Sequence, residues 1–273
     1  MNCSVITASD GASIAYEVNF AGAPWQRPQA TLLMHHGVGF NRDAWALWLP
    51  KLLAAGYRVV RLDMRGHGAS TKPEPGYDWT TERFVADVND VLDAEGIVDS
   101  HFVGESWGGT VGLAWAAAFP GRARTISVMS TTYNGALVPR IDGFPKLIRD
   151  KGIEAWAETM NEARFFPSVG RDILDWAYAA QCACPGHVVS DIFRYILKQD
   201  LSDQLASITA PVMILAPQSS PFVKFDLAID LKERLSNVEL LTFPGHRHGL
   251  VLSGSTIACD AMTNFHARHF HSG

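Results

Sequence analysis

The chain has 273 residues, 47% hydrophobic and 19% charged, a balance that excludes disorder, coiled coil and collagen-like structure and predicts one globular unit with a real core. Lys and Arg total 23 against 28 for Asp and Glu, giving a formal charge of -5. Such a chain has no global attraction to nucleic acid or to an anionic membrane, so the expected partner is a small molecule, with a homodimer allowed.

The opening MNCSVITASDG carries no basic start, apolar run or small-residue cleavage site, and no apolar run approaches the ~20 residues of a membrane span. The four cysteines, Cys3, Cys182, Cys184 and Cys259, are too few and too scattered for a disulfide framework, and Cys182-Ala-Cys184 lacks a second ligand pair for zinc. A reduced, cytoplasmic protein is expected. Apolar, β-branched runs bounded by turn residues then predict eight strands in chain order, over 5–8, 14–18, 31–35, 58–63, 101–104, 125–130, 212–216 and 238–243. Helical periodicity falls between most of the later ones, over 45–55, 81–95, 109–119, 225–235 and 255–269. This alternation means an α/β fold, a mostly parallel sheet with helices on both faces, and Ser9-Asp10-Gly11 reads as a hairpin joining the first two strands at an antiparallel edge.

The alternation stops between about Tyr133 and Ser207, where helical segments rich in aromatics run without a strand. An inserted helical cap over 133–206 is predicted, leaving 1–132 and 207–273 as the core domain. Its aromatics, Phe144, Trp156, Phe165, Phe166, Trp176, Tyr178, Phe193 and Tyr195, either line a substrate cavity or pack the cap helices together.

Chemistry concentrates in Gly104-Glu105-Ser106-Trp107-Gly108, which follows a strand and opens a helix of small residues. Glycines flank Ser106 because so tight a strand-to-helix turn leaves no room for a β-carbon, and the turn pushes the hydroxyl into the open. The following helix aims its N-terminal amides at the same spot. A second strand ends in His36-Gly37, where a sharp turn would present the Val38 amide; with the Trp107 amide it would form an oxyanion hole. Glu105, beside the serine, reads as a buried or paired carboxylate pointing away from the acyl site. The Trp107 indole is expected to narrow the pocket.

A third segment, Asp63-Met-Arg-Gly-His-Gly-Ala-Ser70, also follows a strand. With His36-Gly37 and Gly104-x-Ser106-x-Gly108-Gly109 in this order and spacing, it resembles the α/β-hydrolase fold from end to end, and looks like 3-oxoadipate enol-lactonases and their esterase and carbon-carbon hydrolase relatives. The resemblance implies an eight-stranded sheet, a structural bracing role for Asp63 and Arg65, and a base on the loop after the last strand. That loop reads Phe243-Pro-Gly-His-Arg-His248, and the family's spacing favours His248 over His246. An imidazole is suited to take a serine proton near neutral pH.

The family's usual acid after the seventh strand is missing. Ser220 stands there, and the other known position, after the sixth strand, reads Ser130-Thr-Thr-Tyr133. Three arrangements stay open: a Ser106/His248 pair with Ser220 holding the imidazole, a carboxylate from elsewhere such as Asp226, or chemistry that needs less of a triad. The expected activity is hydrolysis of an ester, lactone or vinylogous carbon-carbon bond, with no metal or organic cofactor. Dehalogenase and epoxide hydrolase chemistry is disfavoured because those relatives hold Asp at the elbow. Cofactor-independent dioxygenase or lyase chemistry with His248 as base, and a non-catalytic ligand receptor, are the alternatives.

Overall fold

The eight apolar runs pair into one eight-stranded sheet in the computed structural model, which describes residues 3–139 and 141–269. The strands are β1 (Ser4–Thr7), β2 (Ser13–Asn19), β3 (Ala30–His35), β4 (Tyr57–Leu62), β5 (Ser100–Glu105), β6 (Ala123–Met129), β7 (Val212–Pro217) and β8 (Val238–Phe243). Their order is β1-β2-β4-β3-β5-β6-β7-β8, with β1 and β2 antiparallel and every pairing from β4 to β8 parallel. The winding reverses around β3: the chain steps from β3 out to β4, then crosses back to β5. At such a reversal the carboxyl ends of neighbouring strands leave a crevice. Here it lies where His35 pairs with Gly104.

The helices of the core domain are α1 (Leu49–Ala54), α2 (Thr81–Ala94), α3 (Trp107–Ala118), α7 (Phe225–Arg234), α8 (Leu250–Ser253) and α9 (Ser255–His269). Val88 of α2, Val111 of α3 and Leu231 of α7 share one apolar cluster, whereas Leu52 of α1 and Met262 of α9 belong to the other. Each sheet face is thereby covered, which is why the parallel strands are apolar on both sides. The Thr80 hydroxyl caps α2 by accepting from the Arg83 N–H at 3.2 Å.

Sequence and structure part at helix starts. The single helix expected over 45–55 is a 3-10 turn, Arg42–Trp45, capped by Asn41, followed by α1, with Pro50 in its first turn where the missing N–H costs nothing. The helix expected from 109 begins two residues earlier because the turn at Ser106 feeds straight into it. The short α8 falls in what reads as loop.

Between β6 and β7 the chain leaves the sheet as the cap: α4 (Phe144–Arg164), α5 (Arg171–Cys182) and α6 (Gly186–Ile196). Its two ends are tied together where Asn134 bridges Asp200 and the Leu201 N–H donates to the Tyr133 carbonyl at 2.9 Å. Within α4 the helix breaks at Gly152, whose φ of +87° lies in the left-handed region. No helix among the described residues is long and apolar enough to cross a membrane.

Asp63 and Arg65 brace loops. The Asp63 carboxylate accepts from the Arg42 and Ala69 amides, each at 2.8 Å, and Arg65 forks onto Asp87 at 2.7 and 2.9 Å while reaching Asp10.

Six imidazoles are buried among the described residues. Burial pushes His35 and His248 down to about 3, His36 and His101 to about 4, and His67 and His266 well below the ordinary value. In the unfolded chain these groups take up protons near pH 6.5, and in the folded protein only at much lower pH. The stability they confer is therefore complete above about pH 6.5 and lost as the pH falls towards 4. Glu105, raised to about 7, opposes this with a single group. Melting temperature measured between pH 8 and 4 should drop progressively below about pH 6.5; a flat profile down to pH 4.5 would contradict the burial of neutral imidazoles.

Candidate functional site

Ser106 joins β5 to α3 with φ +54° and ψ -122°, a conformation that side chains rarely adopt. Close packing holds it there. A Cβ on Gly104 would stand 2.5 Å from the Gly108 carbonyl, and one on Gly37 would lie 2.8 Å from the Ser106 Cβ, so strand, helix and neighbouring loop are pressed together through their glycines. The Ser106 N–H donates to the Met129 carbonyl at 2.9 Å, and its hydroxyl stands 3.1 Å from His248 Nε2.

His248 follows β8, and its backbone is fixed from three sides. The Ser130 hydroxyl donates to the His248 carbonyl at 2.7 Å, the Gly249 N–H donates to the Arg164 carbonyl at 3.0 Å, and the Arg247 guanidinium donates to the carbonyls of Glu162 and Phe165. Ser130, at φ +53°, is the other non-glycine residue at positive φ among those described.

On the far side of the ring, Nδ1 lies 3.1 Å from the Ser220 hydroxyl, which also accepts from the Val223 N–H at 3.2 Å. A hydroxyl so placed can accept a second hydrogen bond from Nδ1–H, the tautomer that a general base facing Ser106 requires. In that tautomer the Nε2 lone pair faces Ser106. Burial, then the nearby Arg164 cation, pushes the imidazole down to about 3, so it is neutral across the physiological range.

Among the described residues no carboxylate meets Nδ1. Asp226 is exposed on α7 and takes no part. The carboxylate that does face the ring is Glu105. It is buried as expected, and one oxygen accepts from the Gly37 N–H at 3.0 Å, but the other, Oε1, has no hydrogen bond and lies 3.9 Å from His248 Nε2. Glu105 does not line the cavity over Ser106, in keeping with a position turned from the acyl site, but its second oxygen faces the base, for which the sequence held no sign. Burial raises this carboxyl to about 7, against the opposing pull of the Arg164 cation and the Gly37 amide.

Arg164, at the end of α4, is the residue that sequence reading missed. Fully buried, it donates to the Val38 carbonyl at 2.6 Å and to Gln181 at 3.2 Å, and its guanidinium stacks 3.9 Å over the Phe40 ring. The only sequence signal was a charge set within the apolar run Ala163–Phe166. Val38 and Trp107 flank Ser106 as expected, and neither backbone N–H donates a hydrogen bond among the described residues. His246 is turned away, its Nδ1 3.1 Å from the Ser253 hydroxyl.

Ser106, Trp107, Val38 and His248 floor a cavity roofed by the cap, with Phe144 and Phe193 in the roof. Water centres can occupy about 50 Å³ of it. Of the eight cap aromatics only these two line it. Trp156 packs against both, Tyr195 bonds Thr81 through its hydroxyl, and Trp176 packs on Phe40.

The tautomer is measurable. The ¹⁵N shifts of His248 should show a protonated Nδ1 and a bare Nε2 from pH 8 down to 5, and Ser220→Ala should give a mixture of tautomers because the acceptor is gone. A wild-type ring protonated on Nε2 would overturn this geometry.

The family model for the alpha/beta hydrolase fold matches residues 30–173. A non-heme chloroperoxidase of Streptomyces lividans is 29% identical, over 90% of this chain and 93% of its own length, and a bifunctional esterase/perhydrolase of Acinetobacter calcoaceticus is 25% identical over 90% and 92%. Among solved structures, a hydrolase from Pseudomonas aeruginosa superposes with a TM-score of 0.86 at 26% identity, covering 97% of this chain and 98% of that one. The enol-lactonase of Burkholderia xenovorans gives a TM-score of 0.87 at 18% identity, over 97% and 100%, a likeness of fold.

Proposed function

The chain belongs to the alpha/beta hydrolase fold family and carries a serine–histidine site of the serine hydrolase kind; within that frame we propose that it cleaves a carboxylic ester or lactone of a small molecule, with Ser106 as nucleophile and His248 as base. The observation that carries this reading is the 3.1 Å contact between the elbow hydroxyl of Ser106 and Nε2 of an imidazole whose other nitrogen meets Ser220. His248 Nε2 takes the Ser106 proton as Oγ attacks the carbonyl carbon, then returns it to the departing alkoxide. Water, deprotonated in the same way, releases the acid. The free amides of Val38 and Trp107 receive the oxyanion. Arg164, holding the Val38 carbonyl, keeps the first of these in place. Four free cysteines fit a reducing, cytoplasmic setting.

The imidazolium formed in this cycle needs a counter-charge. Ser220 offers only a neutral oxygen, and Arg164 opposes it, so in this reading Glu105 supplies the anion from the Nε2 side. A unit charge at ~4 Å contributes on the order of 4 kcal/mol at an effective dielectric constant of ~20. Ser106→Ala should lower ester turnover by at least about 10⁴-fold without unfolding the protein.

The pH dependence follows from Glu105. Its carboxyl is neutral below about pH 7 and ionised above, whereas His248 stays a free base throughout. Ester hydrolysis should therefore rise with pH through about 7. In Glu105→Gln that step should vanish and kcat/KM fall by about 10²- to 10³-fold. A Gln variant that keeps the wild-type profile would remove Glu105 from the mechanism.

A further inference from the structure

The chamber over Ser106 does not stand alone. A second, larger cavity, in which water centres can occupy about 600 Å³, opens towards solvent between α4 and the loops that carry Ser220 and His248. Phe144 and Phe222 line both cavities, their rings meeting edge to face at 5.7 Å between centroids. Together they form a partition between an inner chamber and an outer vestibule.

The proton path gives this partition a direction. The leaving oxygen must receive its proton from His248 Nε2, so the alcohol part of an ester lies on the imidazole side of the reacting carbon, and the acyl part on the other. Phe222 packs edge-on against the His248 ring at 5.2 Å. The vestibule beyond it is thus on the alcohol side. Away from His248, the inner chamber is closed by apolar side chains of the cap, among them Val138, Ile141, Phe193 and Ile196, all buried. By the same measure of space open to water centres, it offers about 50 Å³ against about 600 Å³ for the vestibule. The vestibule presents Leu147, Ala163 and Pro221 as an apolar wall, with Glu162 and Arg247 among its polar lining.

We propose that the two cavities divide the substrate: the inner chamber takes a short apolar acyl group, and the vestibule beyond Phe144 and Phe222 takes a larger, largely apolar alcohol. The inference rests on the serine hydrolase reading and names its substrate class. Phe222 sets the width of the alcohol channel, and Ile196 the depth of the acyl chamber.

Two matched series of esters test it, one with the acyl chain growing from acetyl to octanoyl on ethanol, the other with the alcohol growing from ethyl to octyl on a butyryl group. In the wild type kcat/KM should show a cut-off within the acyl series, falling by tenfold or more beyond it, and should hold or rise along the alcohol series. Phe222→Ala, with Phe222→Leu as the milder variant should the first lose stability, should shift tolerance for branched and bulky alcohols and leave the acyl cut-off in place. Ile196→Ala should lengthen the acyl cut-off by one or two carbons and leave the alcohol series alone. A steep alcohol series, an acyl series without a cut-off, or a Phe222 variant that changes only acyl selectivity would overturn the division while leaving the hydrolase reading intact. Inertness of the wild type towards both series, with no covalent labelling of Ser106 by an ethyl fluorophosphonate, would overturn the hydrolase reading and this one with it.

Discussion

The site rests on one steric constraint: three backbone segments approach one another more closely than any Cβ would allow. At the elbow β5, the start of α3 and the loop after β3 meet through Gly104, Gly108 and Gly37. Their contact holds Ser106 at positive φ, brings its hydroxyl out of the sheet edge, and leaves the Val38 and Trp107 amides beside it. The topology supplies the space, because the reversal of winding around β3 opens the crevice into which all three project. The same closeness delivers the Gly37 amide to Glu105, so a buried carboxyl that would otherwise be without partners is held and aimed.

Around that constraint the electrostatics are arranged unlike the usual triad. An imidazole hydrogen-bonded to a hydroxyl is oriented but not made more basic, and burial depresses it further. Orientation and charge stabilisation, which a single carboxylate ordinarily provides together, are carried by different groups in the proposed mechanism. Ser220 orients, while Glu105 stands on the opposite side of the ring with Arg164 nearby. The base is thereby weak in the resting protein, and on the proposed mechanism its protonated form relies on a neighbour whose own charge varies near neutrality.

What could be read in the sequence was local. Strands declared themselves because short continuous β-branched runs between turn residues mark strands buried on both faces, and the turn at Ser106 because its tightness dictates glycines at fixed offsets. The preference for His248 over His246 came from the resemblance, whose usual spacing after a Phe-Pro pair falls on the second histidine. The absence of an acid at position 220 was equally legible, as was the serine that replaces it. What stayed hidden were side-chain directions set by distant partners. Glu105 is turned by an amide 68 residues away, and Arg164 reaches a carbonyl 126 residues away. Neither contact leaves a pattern in the residues next to it. The cap aromatics were ambiguous for a similar reason: helical spacing marks a buried face but does not say whether that face meets a cavity or another helix.

The end of α4 is bonded to the base loop through Arg247 and Gly249 and to the loop after β3 through Arg164. A cap fastened in this way cannot swing open as a rigid lid without dislodging the histidine and the amide that it overhangs. Passage to and from the chamber falls instead to the rotation of individual aromatic rings. Exchange of small molecules is then a matter of side-chain motions in a closed scaffold, fast and local, and the covering helices serve as part of the bed on which the reacting groups are laid.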